Sequence, residues 1–351
     1  QGQLSNRNII INGAMQVAQR GTSSTVSNYG SLDRFKHEYT GTDEAPTFAQ
    51  VSLTTSDTPY TLGLTKAVKI TNGNQTSGLQ ANSQINFNQQ IEAQNIRNSG
   101  WNYKSSSSYI TLSFWVRSSV SQNFNGFVKT ADGSMYIYPY ETGTLSANTW
   151  TKITKSIPGN SNLQIDDDNG NGFQVFMIST YGTNYTDNSV TYNAWASWAS
   201  GSRSKDQTAT WYTTNDATLE FTGYQLEVGP EATAFEHRTF AEDYRDCLRY
   251  YYESRADGNS FFNSPNSYAS GFFGFGLNGD RISASVRFPV PMRSTPSITI
   301  VRPSDGVNGG VHLFRGVTGS NGGVDAYRGM ISYHHNDNHM QFRTNALERM
   351  R

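Results

Sequence analysis

A single cysteine in 351 residues, Cys247, excludes an intrachain disulfide, so stability has to come from packing and association. Folding in a reducing cytosol is compatible with that. A lone thiol in an apolar helical stretch reads as a small buried hydrophobe rather than a nucleophile. Charge is scarce too: 27 Lys and Arg face 28 Asp and Glu, only 16% of the chain together, for a net charge of -1. Such a balance leaves no electrostatic footprint for a polyanion, and no nucleic-acid partner is expected. No apolar run reaches the length of a membrane span, and the opening residues lack the basic and apolar regions of a secretory signal, so membrane insertion is not expected. Gln1 rather than Met stands first, and sequence upstream of it is expected to have been removed or left out. No GxSxG elbow, Cys/His constellation or phosphate-cradling glycine loop stands out, so no enzyme is expected.

What is abundant points one way. Thirty-two glycines, 13% aromatics and many Asn, Ser and Thr residues suit short strands joined by turns, an all-β chain. Ile9 to Ile11 run as a strand into an Asn12-Gly13 turn. FAQVSLTT, KAVKITN and INFNQQIE follow as strands with polar outer faces, then a short helical turn at Ile91 to Arg97. In Tyr109 to Arg117, Ile110, Leu112, Phe114 and Val116 share a core face, with Tyr109, Ser113 and Trp115 opposite. NFNGFVKT and SMYIYPY form a hairpin around Asp132-Gly133, and TWTKIT and GFQVFMIST add strands. ATLEFTGYQLEVG, ending at Gly229, reads as the last long strand of a sandwich, buried on both sides.

Past Gly229-Pro230, Thr239 and Glu242 form a capping box that starts a helix. Phe240, Tyr244, Cys247 and Tyr251 recur at four, three and four residues, with Leu248 beside them. This seam either packs on the preceding sandwich or joins three copies as a helical neck. Length allows two ordinary domains. The expected division is 1–238 as a β-sandwich, 239–254 as the neck and 255–351 as a smaller C-terminal β-sandwich forming the receptor-binding tip. ASGFFGFGL, RISASVRFPV, SITIVRP, HLFRG, YRGMISYHH and HMQFRTN supply the strands of the last part.

The runs NRNIIINGAMQVAQRGTS and QLEVGPEATAFEHRTFAEDYRDCLRYYYE resemble bacteriophage tail-fibre and receptor-binding proteins, whose central part is similar to a jelly-roll carbohydrate-binding module. The likeness covers roughly residues 6 to 252, with RFPVPMRSTPSITI beyond it. Trp150 ahead of Pro158-Gly159 fits the module as well. The resemblance implies a homotrimeric tail fibre in the virion, made in the host cytoplasm, attached to other virion tail proteins and adhering to a host-surface glycan or lipopolysaccharide. A carbohydrate-binding accessory module of a secreted polysaccharide-degrading enzyme and a tailspike depolymerase are the alternatives. No cofactor is expected. A structural calcium, as many related modules have, stays open without assigned ligands.

Sugar recognition needs an aromatic face for the C–H side of a pyranose and neutral amides or hydroxyls for its edge. Between Tyr181 and Thr210 the strand pattern lapses into a long loop whose Tyr192, Trp195 and Trp198 are candidates, long loops being often functional. In the C-terminal part the candidates are Phe261, Phe262, Tyr268 and the His334, His335 and His339 loop. Each has a core or trimer-contact role as its alternative. The three histidines could also meet a transition metal, although their spacing fits no zinc pattern. Asp166-Asp167-Asp168 reads as a solvated turn, with a calcium loop and catalytic carboxylates as the other readings.

Overall fold

Strands that alternate apolar and small polar residues lay residues up to Tyr252 into two six-stranded sheets, each antiparallel throughout. The computed structural model describes residues 6–252, 273–276, 282–285, 288–295, 330–334, 339–344 and 347–350. Sheet one contains, in spatial order, β1 (Ser23–Ser24), β3 (Thr47–Ser52), β4 (Lys66–Thr71), β12 (Thr218–Val228), β6 (Tyr109–Ser118) and β9 (Thr151–Pro158). Sheet two contains β11 (Ala196–Ser197), β8 (Tyr136–Leu145), β7 (Gln122–Thr130), β10 (Asn171–Tyr181), β5 (Gln84–Glu92) and β2 (Phe35–Thr40). The chain passes repeatedly between the two, the winding of a jelly-roll sandwich. Short helices α1 (Thr58–Thr61), α2 (Ala93–Arg97), α3 (Thr210–Thr213) and α4 (Phe240–Leu248) lie between or after the strands.

Between the sheets, Ile110, Leu112, Phe114 and Val116 of β6 meet Phe87, Val128, Val175 and Met177 in one core. Trp115, of opposite parity, joins a second cluster with Leu53, Leu64 and Trp150 on the far side of sheet one. Stacked rings fill the interior, Phe35 on Phe87 at 4.5 Å and Phe114 on Tyr224 at 4.7 Å. Each such ring contributes about 1.5–3 kcal/mol through burial. Strand β12 is central and buried along nearly its whole length. A register shift interrupts its pairing with β6 between Thr222 and Gln225, where Gly223 takes φ +62°, a left-handed conformation suited to glycine.

The Ile9 to Ile11 run is not a strand, contrary to expectation. Strand β4 pairs with β12 only as far as Phe221, and the opening residues lie beside the remainder. There two backbone bonds, Ile9 N to Leu226 O at 2.9 Å and Tyr224 N to Gly13 O at 3.0 Å, are joined by the Asn8 side chain, which donates to Tyr224 O at 2.9 Å and accepts from Leu226 N at 3.0 Å. The predicted Asn12-Gly13 turn follows: Asn12 has φ +63°, and a Cβ on Gly13 would sit 2.1 Å from Tyr224 O.

Thr239 and Glu242 form the capping box, with Thr239 Oγ1 accepting from Glu242 N at 3.3 Å and Glu242 Oε2 accepting from Thr239 N at 2.8 Å. Thr239→Ala is expected to lower stability by about 1 kcal/mol, measurable as a fall of about 2–4 °C in Tm. An unchanged Tm would mean that the helix is held wholly by its packing.

That packing divides the predicted seam. Cys247 and Leu248 are buried in their own protomer, and burial pushes the Cys247 thiol far above its usual range, followed by the charge of Asp33. Phe240 is 55% exposed and stacks on Tyr244 at 5.7 Å. Tyr251 lies under the Arg20 guanidinium at 3.5 Å. The helix lies within the first unit, Gln1–Tyr252.

The second unit, Glu253–Arg351, contains two small antiparallel sheets among its described residues. One pairs β13 (Phe273–Gly276) with β14 (Ile282–Ser285), and the other orders β15 (Met330–His334), β16 (His339–Thr344) and β17 (Leu347–Met350). The expected strands at SITIVRP and HLFRG lie outside the described residues.

Candidate functional site

Alternation within sheet two sends one set of side chains to the core and the other to an outer face. On β7, Phe124 and Val128 point inward, while Phe127 belongs to a separate outer cluster with Ile137, Ile178 and Tyr181. Register carries the outer set across the sheet. Phe127 pairs with Phe176, Phe176 with Asn88 and Asn88 with Lys36, which makes one row. Asn125, Ile178, Asn86 and Glu38 make the next. Phe127 and Phe176 stack at 4.3 Å. Asn88 donates to Glu38 Oε2 and to Asn86 Oδ1, both at 3.1 Å. Its own Oδ1 is buried and takes no hydrogen bond, and the same holds for the Tyr181 hydroxyl of the outer cluster.

The 182–210 loop lies over the β7–β10 side of this face. Its irregular backbone is tied down by side chains: Asn188 donates to Asp206 Oδ2 at 2.8 Å and Ser202 to Asp187 Oδ2 at 3.1 Å. A parallel bridge joins Thr186 to Ser204. The three loop candidates part company. Tyr192 donates to Asn125 Oδ1 at 2.8 Å and accepts from Lys205 N at 3.2 Å, and burial pushes its pKa up to about 12. Trp195 donates to Pro158 O at 2.7 Å and packs edge-on against Tyr138 at 5.3 Å, so it fastens β8 to β9 across the two sheets. Trp198 stays half-buried at the surface, with the Lys129 ammonium 4.2 Å from its ring centroid and the Arg203 guanidinium 5.3 Å from it.

The outer face thus gathers the half-buried Trp198, Phe176, Gln90, Lys129, Arg203 and Lys36–Glu38 pair over the buried amides of Asn86, Asn88 and Gln174. It offers ring faces, amide edges and two kinds of charge, the groups a saccharide requires. Of these, the sequence singled out Trp198 alone. The available signal was the strict alternation in QINFNQQIE and NFNGFVKT, which marks Asn86, Asn88 and Lys129 as outward-facing.

In the second unit, His334 and His339 are register partners on β15 and β16. Phe261, Phe262, Tyr268 and His335 lie outside the described residues. The acidic turn hydrogen-bonds to its surroundings: Asp132 Oδ2 accepts from Asp166 N at 2.9 Å, Asp167 Oδ1 from Asn98 Nδ2 at 2.9 Å and Asp168 Oδ1 from Gly170 N at 2.8 Å. Burial, then the charges of Asp166 and Asp168, raise the pKa of Asp132. Among the described residues no group of three His, Cys, Asp or Glu side chains is placed to hold a metal ion.

No protein-family model matches the chain, and no curated protein does. Several solved structures are similar in fold at low identity. The enzymatically active domain of bacteriophage CBA120 tailspike protein 4 aligns at 10% identity and a TM-score of 0.32, over 63% of this chain and 21% of that one. A family 11 carbohydrate-binding module from Clostridium thermocellum, in complex with a β-1,3-1,4-mixed-linked tetrasaccharide, aligns at 9% identity and 0.27, over 62% and 98%. The N-terminal cellulose-binding domain of Cellulomonas fimi β-1,4-glucanase C aligns at 10% identity and 0.29, over 62% and 99%. The chain spans about one-fifth of the tailspike domain. The sandwich assignment rests on the strand order given above.

Proposed function

We propose that the chain is a glycan-binding adhesin, the receptor-binding part of a phage tail fibre, and that the outer face of sheet two is its saccharide site. The observation that carries the site is Trp198 held half-exposed beside the Phe127–Phe176 stack and the buried, unpartnered Asn88 acceptor. A ring face and an unpartnered acceptor match the two sides of a pyranose. The site binds without cleaving, since glycoside cleavage needs paired carboxylates flanking one bond, and on this face Glu38 is tied to Lys36 and Asn88 and Glu141 to Asn123. The resemblance of the NRNIIINGAMQ and QLEVGPEATAFEHR runs to tail-fibre proteins extends the reading from sugar binding to virion attachment. Association as a homotrimer would employ the exposed Phe240–Tyr244 pair and multiply weak sites into avidity.

On a glycan array, wild-type protein is expected to bind at least one saccharide, and Trp198→Ala to weaken that binding about tenfold. Tenfold is about 1.4 kcal/mol, modest for an aromatic hot spot. Equal binding by the variant would move the site off this face.

A second reading has its own observation. Cys247 and Leu248 are buried against their own sandwich, as suits a monomeric carbohydrate-binding accessory module. Light scattering separates the two: a mass of three chains at micromolar concentration supports the fibre, and a mass of one supports the module.

A further inference from the structure

The chain as a whole is close to neutral, but this face is not. Lys36, Lys129 and Arg203 lie on it or over it, against the carboxylates of Glu38 and of Glu141, the register partner of Asn125, which accepts from Asn123 Nδ2 at 2.7 Å. Glu38 is committed, to Lys36 at 2.5 Å and to Asn88 at 3.1 Å. Lys129 and Arg203 belong to no ion pair among the described residues. Both nevertheless stand against the same ring, Trp198. Arg203 is fixed there by stacking over Tyr185 at 4.6 Å and by donating from Nε to Ser200 O at 3.0 Å. The pKa of Lys129 is lowered, first by burial and then by the charge of Arg203. Two cations held together and partly withdrawn from water are unfavourable until a counter-charge arrives. A site prearranged in this way favours an anion with charge-assisted hydrogen bonds.

We infer that the saccharide taken by this face carries a negative charge, a carboxylate or phosphate on the sugar, which Lys129 and Arg203 receive beside Trp198. This deepens the glycan-binding reading above and rests on it. The ring takes the sugar face, Asn88 Oδ1 accepts a hydroxyl, and the two cations select acidic over neutral units.

The test uses the full chain on an array holding neutral, uronate- or sialate-bearing and phosphorylated saccharides, read at low and high salt. The expected result is that bound members are charged, that each outbinds its neutral counterpart at least about tenfold, and that high salt narrows the gap. Lys129→Met, which keeps the packed stem and removes the charge, is expected to lower affinity for the best-bound member at least about fivefold. Arg203→Met should act in the same direction. Whether uronate or phosphate members bind assigns the source of the charge. Neutral saccharides bound as well as acidic ones, with Trp198→Ala but not Lys129→Met weakening them, would overturn this inference and leave the glycan site standing. Binding to no member would remove the site and the inference together. Circular dichroism of each variant excludes misfolding as the cause of any loss.

Discussion

Taking the protein from pH 6.5 to pH 4 is expected to remove about 3 kcal/mol of folding stability through His37 alone. His37 is fully buried between the sheets, stacked on Phe48 at 4.2 Å and Phe87 at 5.7 Å, and neither ring nitrogen has a hydrogen-bond partner. Burial pushes its pKa down to about 3, whereas an exposed histidine titrates near 6.5. The native state therefore holds the neutral ring while the unfolded chain takes up a proton below pH 6.5. Stability from this group is complete above the unfolded value and is lost as pH falls toward the folded one, by up to about 1.4 kcal/mol per pH unit. Urea unfolding at both pH values measures it. His37→Phe, which keeps a ring in the stack, should remove this slope. Carboxylates such as Asp33 titrate in both proteins, so the difference between the two isolates His37. Identical pH dependence in wild type and variant would exclude the histidine as the source.

Arg249→Ala is expected to destabilise the first unit by about 3 kcal/mol. Glu92 is 2% exposed and accepts from Arg249 Nε at 2.8 Å, Arg249 Nη2 at 2.9 Å and Tyr250 Oη at 2.6 Å. Burial alone would raise its pKa, but Arg249, Tyr250 and Gln94 together hold it below the usual range. Removing the arginine leaves a carboxylate in the interior without its counter-charge, which is where breaking such a pair is most unfavourable. Glu92→Gln should be milder, because the Arg249 side chain keeps 30% of its surface in solvent. The ranking of the two variants by denaturation midpoint is the check. Equal effects would mean that the pair contributes only through packing. Combining both changes should give less than the sum of the two, as expected for groups in direct contact.

Local regularities survived the passage from sequence to structure because their causes are local. The parity of Ile110 to Val116, the hairpin over Asp132-Gly133 and the Thr239 capping box each depend on residues within a few positions of one another. What failed depended on a distant partner. Ile9 to Ile11 has strand composition, but it is fastened to β12 by the Ile9 amide on Leu226 O and by the Asn8 side chain rather than by a continuous ladder. The α4 seam looked continuous, yet Cys247 and Leu248 are buried on the protomer while Phe240 is not. The composition of the outer face of sheet two was invisible for the same reason. Each strand shows an outward side, but only register brings Phe127, Phe176, Asn88 and Lys36 into one row, and a propensity argument holds no information about register between strands far apart in sequence. Tyr192 and Trp195 were chosen by type, and both prove to be committed through their polar atoms to the sandwich.

The attachment of residues 249–251 bears on how the molecule responds to being pulled. Arg249 is bonded to Glu92 at the end of β5, Tyr250 lies under Arg34 at 3.4 Å, and the Tyr251 carbonyl accepts from Gln19 at 3.1 Å while its ring meets Arg20. Tension entering the first unit along the chain at Tyr252 would reach the rim strand β2 and its neighbour β5 before it reached α4. The helix is thereby shielded from peeling at its C-terminal end, since these ionic and ring contacts stand between it and the pull.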